Sequence, residues 1–367
     1  MSPAPIRGRG TVHNPANRFE RFALVRDGWR DPEDPDPHTV FLWDHSRSAV
    51  AYNDSPDVPF DASINPYRGC EHGCVYCYAR PSHEYLGFSA GLDFETKILV
   101  KEGAPELLRA ALSSPSWKPQ TILMSGVTDP YQPVERRFAI TRRCLQVLLE
   151  FRNPVAIATK SYLVTRDIDI LSQLAEHNAA GVSLTLTTLD EGLARAAEPR
   201  ASSPRLRLRA IARLADARIP VGVTIAPVIP GLTDHELPQI VEAAAQAGTR
   251  FAGFIMLRLP HGVAPLFETW LEQHFPNRKE RVLNRIREVR GGLLYDSSYT
   301  ARGRGKGVYA QHIQRLFRVA CRKSGLDRAA PIMSTDAFRR LGRSGQLELL
   351  ASEAAAESGS PGARFRE

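Results

Sequence analysis

The sequence predicts an α/β fold in which a mainly parallel sheet carries helices on its outer face. Three observations lead there. Six short apolar or β-branched runs recur at 63–67, 121–125, 155–159, 182–187, 221–226 and 251–257. Helical patterns lie between the later runs, at 141–151, 167–177, 204–217 and 234–247. After Pro260 the pattern turns helical. Repeated β–α units give a parallel sheet with crossover helices. In such sheets ligands meet the loops at the carboxyl ends of the strands.

The elements follow in chain order. Residues 1–20 are rich in Arg, Gly, Pro and Asn and read as flexible. Asp-Pro-Glu-Asp-Pro-Asp-Pro follows, and its prolines prevent a helix. A short strand is expected at 39–43. The whole of 1–62 is too short and polar to hold its own core and reads as an arm, partly disordered. The core is assigned to 63–260. Its helices show apolar residues three and four apart, as in Leu145, Leu148 and Leu149. Thr141, Asp167 and Asp234 are candidate N-caps and Gly248 a helix stop. Helices are expected at 265–274, 278–290, 308–323 and 335–341, within an extension spanning 261–350. Between the second and third lies a basic glycine-rich loop, 300–307. Residues 351–367 read as a disordered tail.

The chain of 367 residues suffices for one large domain or two modest ones. It contains no run of about 18 apolar residues, so no membrane span is expected. The first ten residues lack the apolar centre of a secretory signal. The protein is therefore placed in the cytoplasm, where thiols stay reduced. The net charge of +8 is uneven: residues 275–345 hold 17 Lys/Arg against 5 Asp/Glu. This basic C-terminal third suits a polyanion such as DNA or RNA, or else forms a solvated or internally paired helical surface.

Three of the five cysteines sit together, Cys70, Cys74 and Cys77, spaced C-x3-C-x2-C. Thiolates on a short glycine-containing loop can hold an iron–sulfur cluster. They can also hold zinc, with His72 as fourth ligand, although His72 between Cys70 and Cys74 would need a very tight loop. An odd cysteine count without a secretory signal argues against a disulfide framework. Cys144 and Cys321 lie in helical patterns and read as buried core thiols. Strand ends supply further polar groups: Thr128 and Asp129 after the second run, Lys160 after the third, Ser183 and Thr185 on one face of the fourth, and 226–234 after the fifth.

The cysteine spacing, with Tyr76 directly before the third cysteine, resembles the signature of the radical S-adenosylmethionine (SAM) superfamily. Cys74–Tyr78, Thr128-Asp129, Thr159-Lys160, Ser183, Glu198-Pro199 and Ala226-Pro227 resemble its spore photoproduct lyase-like branch over roughly residues 63–260, and flanking segments resemble a bacterial subgroup. The resemblance implies a partial (β/α)6 TIM-like barrel. It implies a [4Fe–4S] cluster on Cys70, Cys74 and Cys77, with one iron left open to S-adenosylmethionine. It places Tyr76, Tyr78, Thr128, Asp129, Lys160, Ser183 and Ala226 about that cofactor. The activity implied is reductive cleavage to a 5′-deoxyadenosyl radical that abstracts hydrogen from a substrate. A reductant such as flavodoxin or ferredoxin would supply the electron. One departure stands out. The lyase's hydrogen-returning cysteine precedes its Ser/Thr-Asp pair, and Gly126 occupies that place here.

The leading expectation is thus a radical SAM enzyme of unassigned substrate, with nucleic acid the first candidate. The alternative is a nucleic-acid-binding protein with a structural zinc or a passive iron–sulfur site. A third reading is a barrel that senses S-adenosylmethionine without turnover.

Overall fold

A computed structural model describes residues 4–20, 38–56, 58 and 60–341. Among the described residues ten strands are formed: β1 (Val40–Trp43), β2 (Val50–Tyr52), β3 (Ala62–Ile64), β4 (Tyr67–Arg68), β5 (Lys97–Val100), β6 (Ile122–Met124), β7 (Val155–Thr159), β8 (Ala180–Leu186), β9 (Val221–Val228) and β10 (Phe251–Met256). The main sheet has seven strands in the order β10-β9-β8-β7-β6-β3-β2. All neighbours are parallel except the antiparallel pair β2–β3. This is the expected α/β architecture, an open array of six parallel strands. A second sheet, β1-β5-β4, stands beside it.

Alternation along the strands separates two faces. In β8, Val182 and Leu184 pack with Leu171, Leu174, Ile211 and Leu214 of the helices Ile168–Glu176 and Pro204–Asp216. Each such fully buried side chain contributes roughly 1.5–3 kcal/mol. Ser183 points to the other face, where its hydroxyl meets Thr224 Oγ1 at 2.6 Å. Cys144 belongs to the apolar core under the sheet and Cys321 to the one around β9 and β10.

The C-terminal segment departs from expectation. Residues 335–341 form no helix. The segment instead crosses the amino end of the sheet. Ser334 N donates to Asn178 O, and Met333 packs 3.7 Å from where a Cβ on Gly181 would stand. Arg339 donates through its backbone to Phe151 O and through Nε to Glu150 O (2.7 Å), and Arg340 donates to Leu112 O, Ser114 O and Trp117 O. Glu150 O and Phe151 O lie in the last turn of the helix Ile140–Phe151, and Leu112 O and Ser114 O at the end of the helix Ala104–Ser113, where carbonyls run out of intrahelical partners. Arginines committed to two helix ends hold the segment extended.

The cap assignments also change. The helix Ile140–Phe151 starts from Ala139 in a left-handed conformation (φ 52°), and the Thr141 hydroxyl donates to Pro130 O instead of capping. Asp167 stands at a helix start, but its carboxylate is taken by Arg142 and Arg166. Asp234 opens a 3-10 turn (Asp234–Glu236) and accepts Gly231 N. Gly248 does follow the helix Leu237–Gln246, at φ 98°.

Candidate functional site

β4 runs directly into the cysteine loop, which lies against the carboxyl ends of the main strands. Its backbone is held on every side. Cys70 N donates to Phe94 O (2.8 Å) and Val75 N to Ala197 O (3.0 Å). Gln132 brackets the loop start, accepting from Glu71 N at 2.8 Å and donating to Gly69 O at 3.0 Å. The fully buried Arg80 donates to Cys74 O, Gly73 O, Ala90 O and Gly91 O at 2.9–3.2 Å and pairs with Glu95 at 2.6 Å.

Glu95 also accepts Gly10 N and the Thr11 hydroxyl, each at 2.9 Å. The described part of the arm is thus wrapped on the core here, with Gly10 and Thr11 buried beside the loop. At Gly73 (φ 67°) a Cβ would stand 2.7 Å from Glu95 Oε2, so the tight turn needs glycine.

Cys70 sits in one apolar pocket with Ala79 and Phe94, and Cys74 in another with Val75 and Tyr76. Cys77 is half-buried and packs against both. Burial pushes the Cys70 thiol pKa well above its ordinary range, and Asp129, Cys74 and Cys77 push it the same way. Burial and Glu198 push Cys74 up to about 12. The three thiols thus lie within electrostatic reach of one another. Among the described residues no three His, Cys, Asp or Glu side chains converge as a single metal ion would require.

Two polar networks tie this loop to the strands. In the first, Asp129 accepts Lys160 N (2.7 Å), the Thr159 hydroxyl (2.7 Å) and Tyr131 N (2.8 Å), with His72 Nδ1 at 3.4 Å. Burial alone would raise the Asp129 pKa, but His72 and these donors outweigh it and the carboxyl titrates below its usual range. In the second, the Tyr76 hydroxyl and Arg207 both donate to buried Glu198, and the Thr187 hydroxyl lies 2.7 Å from the same carboxylate. Burial would raise the Glu198 pKa too; Arg207 and Lys160 bring it down to about 2. Lys160 lies between the networks: Nζ donates to Ala226 O at 3.3 Å and stands 5.8 Å from the Tyr76 ring centroid.

Of the residues expected to meet S-adenosylmethionine, Tyr76, Asp129, Lys160 and Ala226 are joined through these networks beside the cysteines. Tyr78 reaches across to Gly126, its hydroxyl donating to the carbonyl at 2.7 Å. Thr128 is turned away and donates to Tyr67 O at 3.0 Å. Ser183 lies deeper on the same face of the sheet, bonded to Thr224. Sequence patterns give no role to Arg80, Glu95, Gln132 or Arg207. Periodicity marks faces and does not single out one buried charge. For Arg80 the available hint is its place three residues after Cys77.

In the basic loop, Lys306 pairs with Asp296 at 2.8 Å, while Arg302 and Arg304 lie over the rings of Tyr299 and Phe254. The acidic segment at 31–36 lies outside the described residues. Arg315, Arg318 and Arg322 are exposed along the helix Gly307–Lys323, at a spacing that places them on one face. No helix among the described residues is long and apolar enough to cross a membrane.

The Radical SAM superfamily profile matches residues 64–244, which include the cysteine loop and β6 to β9. An uncharacterized protein of Mycobacterium tuberculosis is 35% identical over 245 residues, covering 66% of this chain and 71% of that one. An uncharacterized protein of Methanocaldococcus jannaschii is 31% identical over 222 residues, covering 60% and 79%. Among solved structures, spore photoproduct lyase with bound AdoMet and dinucleoside spore photoproduct superposes with a TM-score of 0.51 at 15% identity, over 79% of this chain and 80% of that one. At that identity the likeness is one of fold. The profile match over the cysteine loop and the strands behind it, with relatives aligned over most of their length, makes this chain a member of the radical SAM superfamily, whose enzymes use a [4Fe–4S] cluster and S-adenosylmethionine.

Proposed function

We propose that Cys70, Cys74 and Cys77 hold the cluster and that S-adenosylmethionine binds beside it. The observation that carries this reading is the placement of three thiols on one braced loop at the strand ends, in two adjoining pockets bridged by Cys77. The donor set suits a cubane, which spreads its thiolates around several irons and takes one cysteine per iron. His72, the fourth ligand a structural zinc would need, is engaged with Asp129 at 3.4 Å. Held by these three cysteines, the cluster would supply the electron for reductive cleavage of S-adenosylmethionine bound beside it.

The chain's own residues bind, orient and enclose. Lys160 presents a compact positive charge suited to a carboxylate. Its position is fixed by the bond to Ala226 O and by Asp129, which accepts its backbone amide. Tyr76 is locked by Glu198 and Thr187, so its ring is a rigid wall behind the cysteines. Tyr78, Thr128, Asp129 and Ser183 complete the proposed set, Thr128 and Asp129 mainly by positioning the strand-end loops. Gly126 offers no thiol, so hydrogen return by the lyase's route is not available from that position.

We place the chain in the spore photoproduct lyase-like branch, with the arm, core and extension divided near 62 and 260. We infer a cytoplasmic enzyme served by a low-potential reductant such as flavodoxin or ferredoxin. DNA or RNA is the favoured substrate class, on the strength of the fold likeness and the exposed arginines of the last helix. The test is anaerobic reconstitution and reduction. About four irons and four sulfides per chain, with 5′-deoxyadenosine formed from S-adenosylmethionine, are expected. Zinc without sulfide would overturn the reading.

A further inference from the structure

One arginine at the open end of the sheet has no carboxylate paired with it among the described residues. Arg258 follows β10, and its guanidinium lies 4.7 Å from the centroid of the Tyr78 ring. Its Nε is buried and has no hydrogen-bond partner. Among the described residues it forms no ion pair with a carboxylate. Its neighbour Arg290 is also buried; its Nη1 and Nη2 donate to the carbonyls of Met256, Leu257, Ala301 and Arg302, while its Nε, like that of Arg258, has no partner. Burial, and then the charge of Arg258, bring the Arg290 pKa down to about 10. The nearby carboxylate of Asp296 is held by Lys306. Among the described residues, two guanidinium groups therefore stand together with no carboxylate in an ion pair with either.

Tyr78 gives the patch its second feature. It directly follows Cys77, and it is 46% exposed. Its hydroxyl is tied to Gly126 O, which fixes the ring in place. A buried guanidinium donor without an acceptor is costly and becomes satisfied when an anion arrives. The planar guanidinium fork matches phosphate oxygens, and an adjacent aromatic face accepts a stacked base.

We propose that Arg258, beside Tyr78, forms a subsite for a phosphate group of the substrate, on a nucleic-acid backbone or on a nucleotide. This rests on the reading of Cys70, Cys74 and Cys77 as the cluster site, because it is their neighbourhood that makes the subsite a substrate position. The subsite lies at the mouth, one residue from Cys77, and orients a phosphate-bearing substrate toward the reactive centre.

The test uses anaerobically purified holoprotein with S-adenosylmethionine present. A short fluorescein-labelled single-stranded DNA oligonucleotide is titrated by anisotropy, and a nucleoside monophosphate and inorganic phosphate are added as competitors. Arg258→Gln should weaken binding about ten- to a hundredfold, as for loss of a charge-assisted hydrogen bond. Arg258→Lys, which keeps the charge and loses the fork, should fall between Arg258→Gln and the unmodified protein. Arg250→Gln removes the same charge at the opposite, exposed end of β10 and should leave affinity within about threefold.

Iron content and circular dichroism of each variant report whether it has folded. Competition by the monophosphate as strong as by unlabelled oligonucleotide assigns the subsite to a nucleotide, and weak competition assigns it to a backbone phosphate; both support the proposal. Absence of binding by all three probes at low salt, or equal losses in Arg258→Gln and Arg250→Gln, would overturn it. Formation of 5′-deoxyadenosine by the unmodified protein is measured separately. If it occurs while no probe binds, the subsite alone fails. If it does not occur, the cluster reading fails.

Discussion

Replacing Arg80 with Met should open the cysteine loop. Arg80 is fully buried and bridges four backbone carbonyls of the loop and its neighbour to the Glu95 carboxylate. Methionine fills similar volume but leaves those carbonyls unpaired. Glu95 then stays charged in the interior, held by Gly10 N and Thr11. Breaking one side of a buried pair costs about 3–5 kcal/mol. Spent on local opening, that is on the order of a hundred- to several-thousandfold more of the open loop. Hydrogen exchange across residues 69–80 should rise by such a factor, and iron per chain should fall. Adding Glu95→Leu should cost less than the two single changes summed, because it removes the stranded charge. Unchanged protection and full iron in Arg80→Met would show that the loop is held by something else.

Four further outcomes are expected. Alanine at Cys70, Cys74 or Cys77 should abolish the visible absorption of the cluster, whereas Cys144→Ala and Cys321→Ala should keep full iron; loss of iron in Cys144→Ala would end the three-thiolate reading. Lys160→Ala should keep the cluster but weaken S-adenosylmethionine binding about ten- to a hundredfold by equilibrium dialysis, and an unchanged constant removes Lys160 from the site.

His83 is buried, which brings its pKa down from 6.5 to about 4. The unfolded chain therefore binds a proton that the folded chain refuses, and stability should fall as pH drops from 6.5 through 4, by up to about 3 kcal/mol in urea titrations. His83→Leu should flatten that limb. Replacing Arg315, Arg318 and Arg322 with Gln should reduce the salt slope of oligonucleotide binding by up to about three, and an unchanged slope would place the polyanion elsewhere.

The parallel strands were legible because burial on both faces leaves short apolar runs, and β7 matches its expected 155–159 range. β5 and the helix Ala104–Ser113 belong to no repeat of that pattern: β5 pairs with β1 and β4 in the side sheet. The helix expected at 335–341 fails because Arg339 and Arg340 are spent on carbonyls far away in sequence, which no local propensity reports. At the site, the cysteines stand out through their spacing. Lys160 and Asp129 stand out only as strand-end polar residues. The bracing role of Arg80 depends on carbonyls supplied by residues 73, 74, 90 and 91 and on a carboxylate at 95, a convergence that appears only once the chain is folded.

The strap at the amino end of the sheet bears on how the protein is made. Arg340 closes onto Ser114 across 226 positions and Arg339 onto Glu150 across 189. During synthesis the helices Ala104–Ser113 and Ile140–Phe151 leave the ribosome long before those arginines exist. Their last carbonyls must stay hydrated until residues 339 and 340 have been made. The underside of the sheet is therefore sealed only after every main-sheet strand has been made. A nascent chain stalled before Arg339 would carry every cysteine and every main-sheet strand with two helix ends still open, exposed to whatever chaperone or protease arrives first.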